Sequence, residues 1–361
     1  MSYRRYLLTV LILALLGFAP FGLSMLVVRQ TGENLTYDRT VELQLARGAV
    51  FGPMFNADHH LYKRALYRAV LPEVVTVGSS TMVPFRADYF SAPFLNCCRV
   101  SDDLPQLEAF LDWMVAAHPP KVVIIGLDFW WFRYAEAPAK RYTPAPALGD
   151  EWTWAKLTRP WGMLGRGDLG GRELGLPGDR IGFMGLLRDR GFRPDGSFDY
   201  GPVHDAMDPD PAQRVRHVRA LLDTGNARFA RSKRTWDSNF EIVARMLAKV
   251  RAAGCHAVLI FPPVVEELLD ELARRPEEYG YVPQVVEGLR RFGIPFVDYR
   301  DARPLGSGAD EFYDEIHGGD VTMARLLLDL GGRDPEVGAV LDRARLTDVV
   351  ARYAGVPRLP D

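Results

Sequence analysis

The chain has 361 residues, a formal net charge of −2, 48% hydrophobic residues and 25% charged residues. That usage is ordinary for a globular protein and excludes a disordered chain. The near-zero charge, with no basic stripe, excludes a protein built to grip nucleic acid. The length implies one main domain with attachments.

From Tyr6 to Val28 the sequence YLLTVLILALLGFAPFGLSMLVV carries no charged side chain. Such a helix is long enough to cross a hydrocarbon core of roughly 30 Å. Arg4 and Arg5 precede it, and flanking positive charge favours a cytoplasmic N-terminus. A cleaved secretion signal has a shorter apolar core and an A-x-A-like site, and neither is seen here. Residues 1–30 are therefore expected to be an uncleaved, single-pass membrane anchor. The body then lies outside the cytoplasm, in the periplasm if the cell has two membranes. Residues 31–68 are mixed and charged, with an apolar patch AVFGPMF, and read as a stalk or a helix lying over the domain.

The pattern becomes regular after that. EVVTV (73–77) is apolar almost throughout, as a strand buried on both faces would be. FLNCCRV (94–100) is a second candidate strand. LPQLEAFLDWMVAA (104–117) places Leu104, Leu107, Leu111, Met114 and Val115 on one helical face, and HPP then stops the helix. KVVIIGLD (121–128) is a third strand. SNFEIVARMLAKVRAAG (238–254) is an amphipathic helix ending in glycine, and HAVLIFPP (256–263) is a fourth strand ended by prolines. VPQVVEGLRRFG (282–293) is helical, IPFVDY (294–299) is a fifth strand, and DVTMARLLLDL (320–330) is a last helix. Alternating buried strands and amphipathic helices predict an α/β fold, a three-layer α/β/α sandwich with a central parallel five-stranded sheet.

Residues 133–235 interrupt the alternation with Gly, Pro, Arg and Trp, too long a run for a simple loop. They read as an inserted cap. The domain is thus expected to span 69–335 around the insertion 133–235, with a C-terminal helix or tail over 336–361. Cys97, Cys98 and Cys255 form neither a disulfide framework nor a zinc pattern, and inert packing is their expected fate. His59 and His60 lack partners for a metal site.

In open α/β sheets, ligands sit outside the carboxyl ends of the strands. Gly78-Ser79-Ser80 falls there after the first strand, Gly126-Leu127-Asp128 after the third, and Asp314-Glu315-Ile316-His317 after the fifth. A serine becomes a nucleophile when a base takes its proton, and a histidine base is best held by a carboxylate. Ser80, His317 and Asp314 supply the three parts. Alone, each is an ordinary turn or capping residue; their joint placement at one sheet edge points to catalysis.

With GSS after the first strand, DEIH before the last helix and KVVIIGLDFWWF between them, the chain resembles the SGNH (GDSL-type) hydrolase superfamily. It is most similar to the membrane-anchored branch that includes the wall-teichoic D-alanylation and alginate O-acetylation accessory proteins. The resemblance covers residues 70–132 and 236–332. It implies Ser80 as nucleophile, with Asp314 and His317 completing the triad. It also implies oxyanion donors at the Ser80 N–H, at a glycine after the second strand and at an asparagine after the third. Two of these depart: Arg99 or Ser101 stands near the glycine position, and Asp128 stands at the asparagine position. An ionised carboxylate there would repel an oxyanion. Asn96 is a possible substitute donor or else a turn residue, and Gly126 lines the same edge.

Trp130 and Trp131 offer flat faces for sugar stacking, or core packing. His204, in the insertion, is a lid residue or an idle loop histidine.

The expected function is a membrane-anchored esterase or O-acyltransferase acting on acyl, most simply acetyl, groups of an envelope or exported polysaccharide. It would need no cofactor and no metal. The resemblance implies a membrane-bound O-acyltransferase as partner. The alternative is a catalytically weak or inactive subunit of the same fold that binds polysaccharide or assembles with that acyltransferase.

Overall fold

The computed structural model describes residues 3–55, 58–134, 152–168, 178–201, 207–225 and 228–360. The chain divides into two compact units. One gathers Met1–Ala65, Ala145–Pro194 and Phe198–Val203; the other gathers Leu66–Pro144, Asp195–Ser197 and His204–Asp361. Part of the expected stalk and part of the expected insertion thus cluster with the N-terminal helix, and the rest of the insertion clusters with the sheet. His204 lies outside the described residues.

The second unit holds a five-stranded parallel sheet. Its strands are β1 (Val74–Val77), β2 (Phe94–Cys97), β3 (Val122–Gly126), β4 (His256–Phe261) and β5 (Val297–Asp298), in the order β2-β1-β3-β4-β5. Every residue of β1, β2 and β3 is buried. Side chains alternate between faces along a strand, so both faces of these three strands are covered. β5 pairs over only two residues. Pro295 precedes it, and a proline has no N–H to give to a ladder.

Four helices of this unit frame the sheet connections: α2 (Leu104–Ala117), α3 (Asp237–Ala252), α4 (Tyr281–Arg291) and α5 (Asp320–Arg333), numbered after the N-terminal helix α1 (Tyr3–Gln30). Asp103 caps α2 by accepting from the Gln106 N–H, and Pro105 fits its first turn. The buried face of α2 is Leu104, Leu107, Phe110, Leu111 and Met114, with Val115 only half-buried. α2 packs on α3 and α3 on α4, whereas α5 packs with Pro335–Val340 and Arg343–Tyr353. Cys97, Cys98 and Cys255 are free, buried thiols.

The first unit is built differently. α1 is long and apolar enough to cross a membrane. The rest centres on a small sheet of four two-residue strands, in the order Arg180–Ile181, Val50–Phe51, Gly191–Phe192, Phe198–Asp199. So little ladder is reinforced by buried polar groups. Glu33, 1% exposed, accepts from the N–H groups of Met54, Phe55 and Phe183. Gln44 donates to the Phe192 carbonyl at 2.7 Å, and the buried Lys63 ammonium lies 4.3 Å from the Phe192 ring centroid.

Candidate active site

β1 delivers Ser80. The register sets Val77 opposite Ile125, so Gly78 and Gly126 come next on adjoining strands. A Cβ on Gly126 would lie 2.3 Å from Met82 Sδ, and one on Gly78 would lie 2.9 Å from Met82 Cγ. The two glycines therefore make room for the buried Met82, and the turn Ser80–Met82 settles onto the end of the sheet. Ser79 caps this turn, its Oγ accepting from the Thr81 N–H at 3.2 Å. The Ser80 N–H opens the turn, where no intrahelical acceptor exists for it.

A tight loop ahead of α5 delivers His317. The Tyr313 N–H donates to the His317 carbonyl at 2.9 Å. Within the loop, Asp314 Oδ1 accepts from the N–H groups of Ile316 and His317, each at 2.9 Å. Asp314 Oδ2 lies 2.6 Å from His317 Nδ1, and His317 Nε2 lies 2.8 Å from Ser80 Oγ. Burial raises the Asp314 carboxyl, but its bonds and charge attraction to His317, with the two backbone N–H groups, outweigh this and hold it below the ordinary range. An ionised Asp314 on Nδ1 keeps that nitrogen protonated and turns an accepting Nε2 toward Ser80. Ser80 is 8% exposed and His317 7%.

Sequence reasoning missed what holds this loop. Glu311, 1% exposed, accepts from Arg325 Nε and Nη2 at 3.1 Å each, from Ser307 Oγ at 2.7 Å and from the Gly355 N–H at 3.1 Å. Its carbonyl also accepts from Thr322 Oγ1. Glu311 and Arg325 are separated by the loop itself, so no local spacing marks them as a pair.

The expected oxyanion residues fare unequally. Asn96 is not a donor to substrate: its Nδ2 donates to the carbonyls of Met82, Val83 and Phe85, and its Oδ1 accepts from the Cys98 N–H. It braces the chain that follows Ser80. Arg99 adopts φ +61°, a left-handed conformation that costs a non-glycine residue about 1–2 kcal/mol. That is the conformation glycine takes readily, but the Arg99 N–H is spent on the Ser79 carbonyl at 3.2 Å. Gly126 serves close packing under Met82 rather than substrate.

Asp128 is at the site. It is 3% exposed, and its Oδ1 accepts from Thr81 Oγ1 at 3.0 Å. Its Oδ2 is buried without a hydrogen-bond partner among the described residues. Burial pushes this carboxyl up to about 6, against the smaller downward pull of the Ser79 and Thr81 hydroxyls, Arg228 and His317. A carboxyl in that range changes charge near neutrality, and its acid form is a hydrogen-bond donor.

Of the two readings of the tryptophans, core packing is the one that the burial favours. Trp130 and Trp131 are 7% and 8% exposed inside the turn Phe129–Phe132. The Trp131 carbonyl accepts from Asn239 Nδ2 of α3, which fixes the run in the core. An aromatic run after a strand does not reveal which way it faces.

A contribution from the far end of the insertion was also missed. The helix Pro211–Thr224 brings His217 Nε2 to 2.6 Å from Glu315, next to Asp314. Its Arg214 pairs with Glu267 at 2.6 Å and its Arg219 with Glu271 at 2.9 Å. Arg214, His217, Tyr313 and Asp314 line a pocket of ≈ 390 Å³, which thus reaches the Ser80–His317–Asp314 cluster at Asp314. Among the described residues no group of three or more His, Cys, Asp or Glu could hold a metal ion.

No family model matches the chain, and no curated protein matches it in sequence. The geometry of the site therefore carries the functional reading.

Proposed function

We propose that the chain is a serine esterase or O-acyltransferase of SGNH type, anchored by α1 with its body outside the cytoplasm. One observation carries this reading: the unbroken run Ser80 Oγ, His317 Nε2, His317 Nδ1, Asp314 Oδ2 at 2.8 Å and 2.6 Å. A module that only binds has no need of a base aimed at a serine and a carboxylate behind it. Two further features support the reading. The sheet order places Ser80 and Asp128 at the β1/β3 reversal, where doubly wound sheets bind ligands. The central strands are buried along their whole length, as they would be in a three-layer α/β/α sandwich.

In the proposed reaction Ser80 Oγ attacks an ester carbonyl and its proton passes to His317 Nε2. Asp314 stabilises the imidazolium. The tetrahedral oxyanion takes a hydrogen bond from the Ser80 N–H. Collapse expels the alcohol, which receives the proton from His317, and leaves an acyl group on Ser80. His317 then takes a proton from water or a sugar hydroxyl, which attacks the acyl-enzyme and frees the serine. Asp128 sets the efficiency: as an acid it can donate to the oxyanion, and as a carboxylate it repels it.

The family resemblance points to an O-acylated envelope or exported polysaccharide as substrate and to a membrane O-acyltransferase as partner. The anchor supplies a physical reason, because it concentrates the domain where such polymers emerge. The second reading, an inactive polymer-binding or assembly subunit, is favoured by two observations: a carboxyl in place of an oxyanion donor, and the occupied Arg99 N–H.

The test is hydrolysis of p-nitrophenyl acetate and of an acetylated polysaccharide by the purified full chain, beside Ser80→Ala. Ester cleavage lost in the variant supports the enzyme. Folded wild type that binds polymer with no Ser80-dependent cleavage supports the subunit.

A further inference from the structure

The unit that carries α1 holds a pocket that the proposed reaction does not use. Its volume is ≈ 650 Å³. Met54, Met163 and Leu187 supply apolar walls, and Arg159, Arg166 and Arg188 supply charge. Arg166 is paired with Asp168 at 2.8 Å. The Arg159 guanidinium lies 5.8 Å from the Phe55 ring centroid, and neither Arg159 nor Arg188 has a carboxylate partner among the described residues. A half-apolar cavity with two guanidinium groups to spare suits a ligand with an anionic head and a greasy stem. Guanidinium matches phosphate with two parallel hydrogen bonds.

The position of the pocket narrows the ligand further. Val27 and Val28 of α1 are buried in one cluster with Met163 and Phe183, and Met54, Phe55, Leu164 and Leu187 pack on it. The pocket therefore shares its apolar wall with the end of the membrane helix. The described side chains of α1 are almost all exposed from Tyr3 to Ala19 and become partly covered from Pro20 onward. There the Trp161 Nε1 donates to the Pro20 carbonyl at 3.0 Å, and the Trp154 ring sits 5.8 Å from Phe21. Trp154 is nevertheless 70% exposed and Trp161 37%. Exposed tryptophans beside the point where a bare apolar helix becomes covered mark the headgroup level of a bilayer.

The wall of the pocket is also pre-formed. Buried Glu33 clamps the Met54 and Phe55 N–H groups at 2.8 and 2.6 Å and the Phe183 N–H at 2.8 Å.

We propose that this pocket binds the phosphate-bearing headgroup of an anionic membrane lipid, with Arg159 and Arg188 on the phosphate and the methionines along its apolar stem. Such a contact fixes the height and rotation of this unit on the membrane. The inference rests on the reading of α1 as a membrane span, which carbonate extraction of membranes tests separately.

The experiment is native mass spectrometry of the full chain in non-ionic detergent. The probes are phosphatidylglycerol, phosphatidylcholine of the same chain length, and inorganic phosphate. Phosphatidylglycerol is expected to be retained preferentially by the wild type. The double variant Arg159→Gln/Arg188→Gln should weaken that retention about 30-fold and leave phosphatidylcholine unchanged. Both arginines are exposed, so an unchanged Tm is expected and certifies the fold. Arg159→Lys/Arg188→Lys keeps the charge but loses the fork, and should fall between the two. Equal retention of the two lipids by the wild type, or undiminished retention by the glutamine variant, overturns the proposal. So does displacement of phosphatidylglycerol by millimolar inorganic phosphate, which would make this a site for a free anion.

Discussion

The loops at the carboxyl end of the large sheet and the unit that carries α1 solve the same problem in opposite ways. The first loops sit at the edge of a sheet whose central strands, four or five residues long, are fully buried, and a few short polar contacts aim Ser80 and His317. The second unit has strands of two residues and substitutes buried polar groups, Glu33, Gln44 and Lys63, for a ladder. The regular sheet edge divides its polar residues between chemistry, at Ser80, His317 and Asp314, and bracing, at Asn96 and Glu311, whereas Glu33, Gln44 and Lys63 of the second unit serve bracing alone. Substitutions at the reacting groups of the first region should therefore change rate, whereas those at bracing groups, Glu311 in the first region and Glu33 in the second, should change stability.

The largest effect that can break this contrast is at the nucleophile. Ser80→Ala should lower ester turnover by about 10⁶-fold with Tm unchanged, because only the reacting atom is removed. Asp314→Asn should cost about 10⁴-fold by allowing the wrong imidazole tautomer, and burst kinetics would locate the loss in acylation. Glu311→Gln tests the brace beneath the loop. It leaves Arg325 facing no charge in a mostly buried site, and thermal unfolding should register a loss of about 3–5 kcal/mol.

Asp128→Asn sharpens the contrast with a gain. The native carboxyl, pushed up to about 6, binds its proton more tightly folded than unfolded. Its stabilising contribution is full at low pH and is lost as pH rises through about 6. By pH 8 it has cost up to about 3 kcal/mol relative to an unperturbed aspartate. The asparagine variant should therefore unfold at higher temperature than wild type at pH 8. It should also turn over about 100-fold faster there, since a donor replaces a repelling charge. Below pH 6 the two should converge, so the ratio of their rates isolates Asp128 from every other titration. The smallest effect is expected from Glu33→Gln, about 1–3 kcal/mol of stability with ester turnover of the folded fraction unaltered.

The sheet and the triad were legible for one reason: both are written as short continuous patterns. β1, β3 and β4 are apolar runs that no amphipathic helix would show, and Asp314 and His317 sit on one loop turn. β5 shrank to two residues because Pro295 precedes it, and β2 ended at Cys97 because Arg99 turns left-handed. The small sheet was invisible, since strands of two residues lie below any detectable period. Glu311 with Arg325, and His217 with Glu315, escaped because each pair meets only in space. Trp130 and Trp131 were open between two readings because a tryptophan serves a core and a sugar platform equally well, and only burial separates the two. Asn96 was open for a related reason: its amide suits an oxyanion or a turn, and three carbonyls of the bent chain after Ser80 claim it.

The proposed chemistry requires an activated serine, and covalent labelling reports on that state. The full chain is treated with a serine-directed fluorophosphonate and mapped by peptide mass spectrometry, in wild type and in His317→Ala. An adduct on Ser80 is expected in wild type and should be lost in His317→Ala. A folded wild type without adduct on Ser80, or labelling undiminished in His317→Ala, would contradict it.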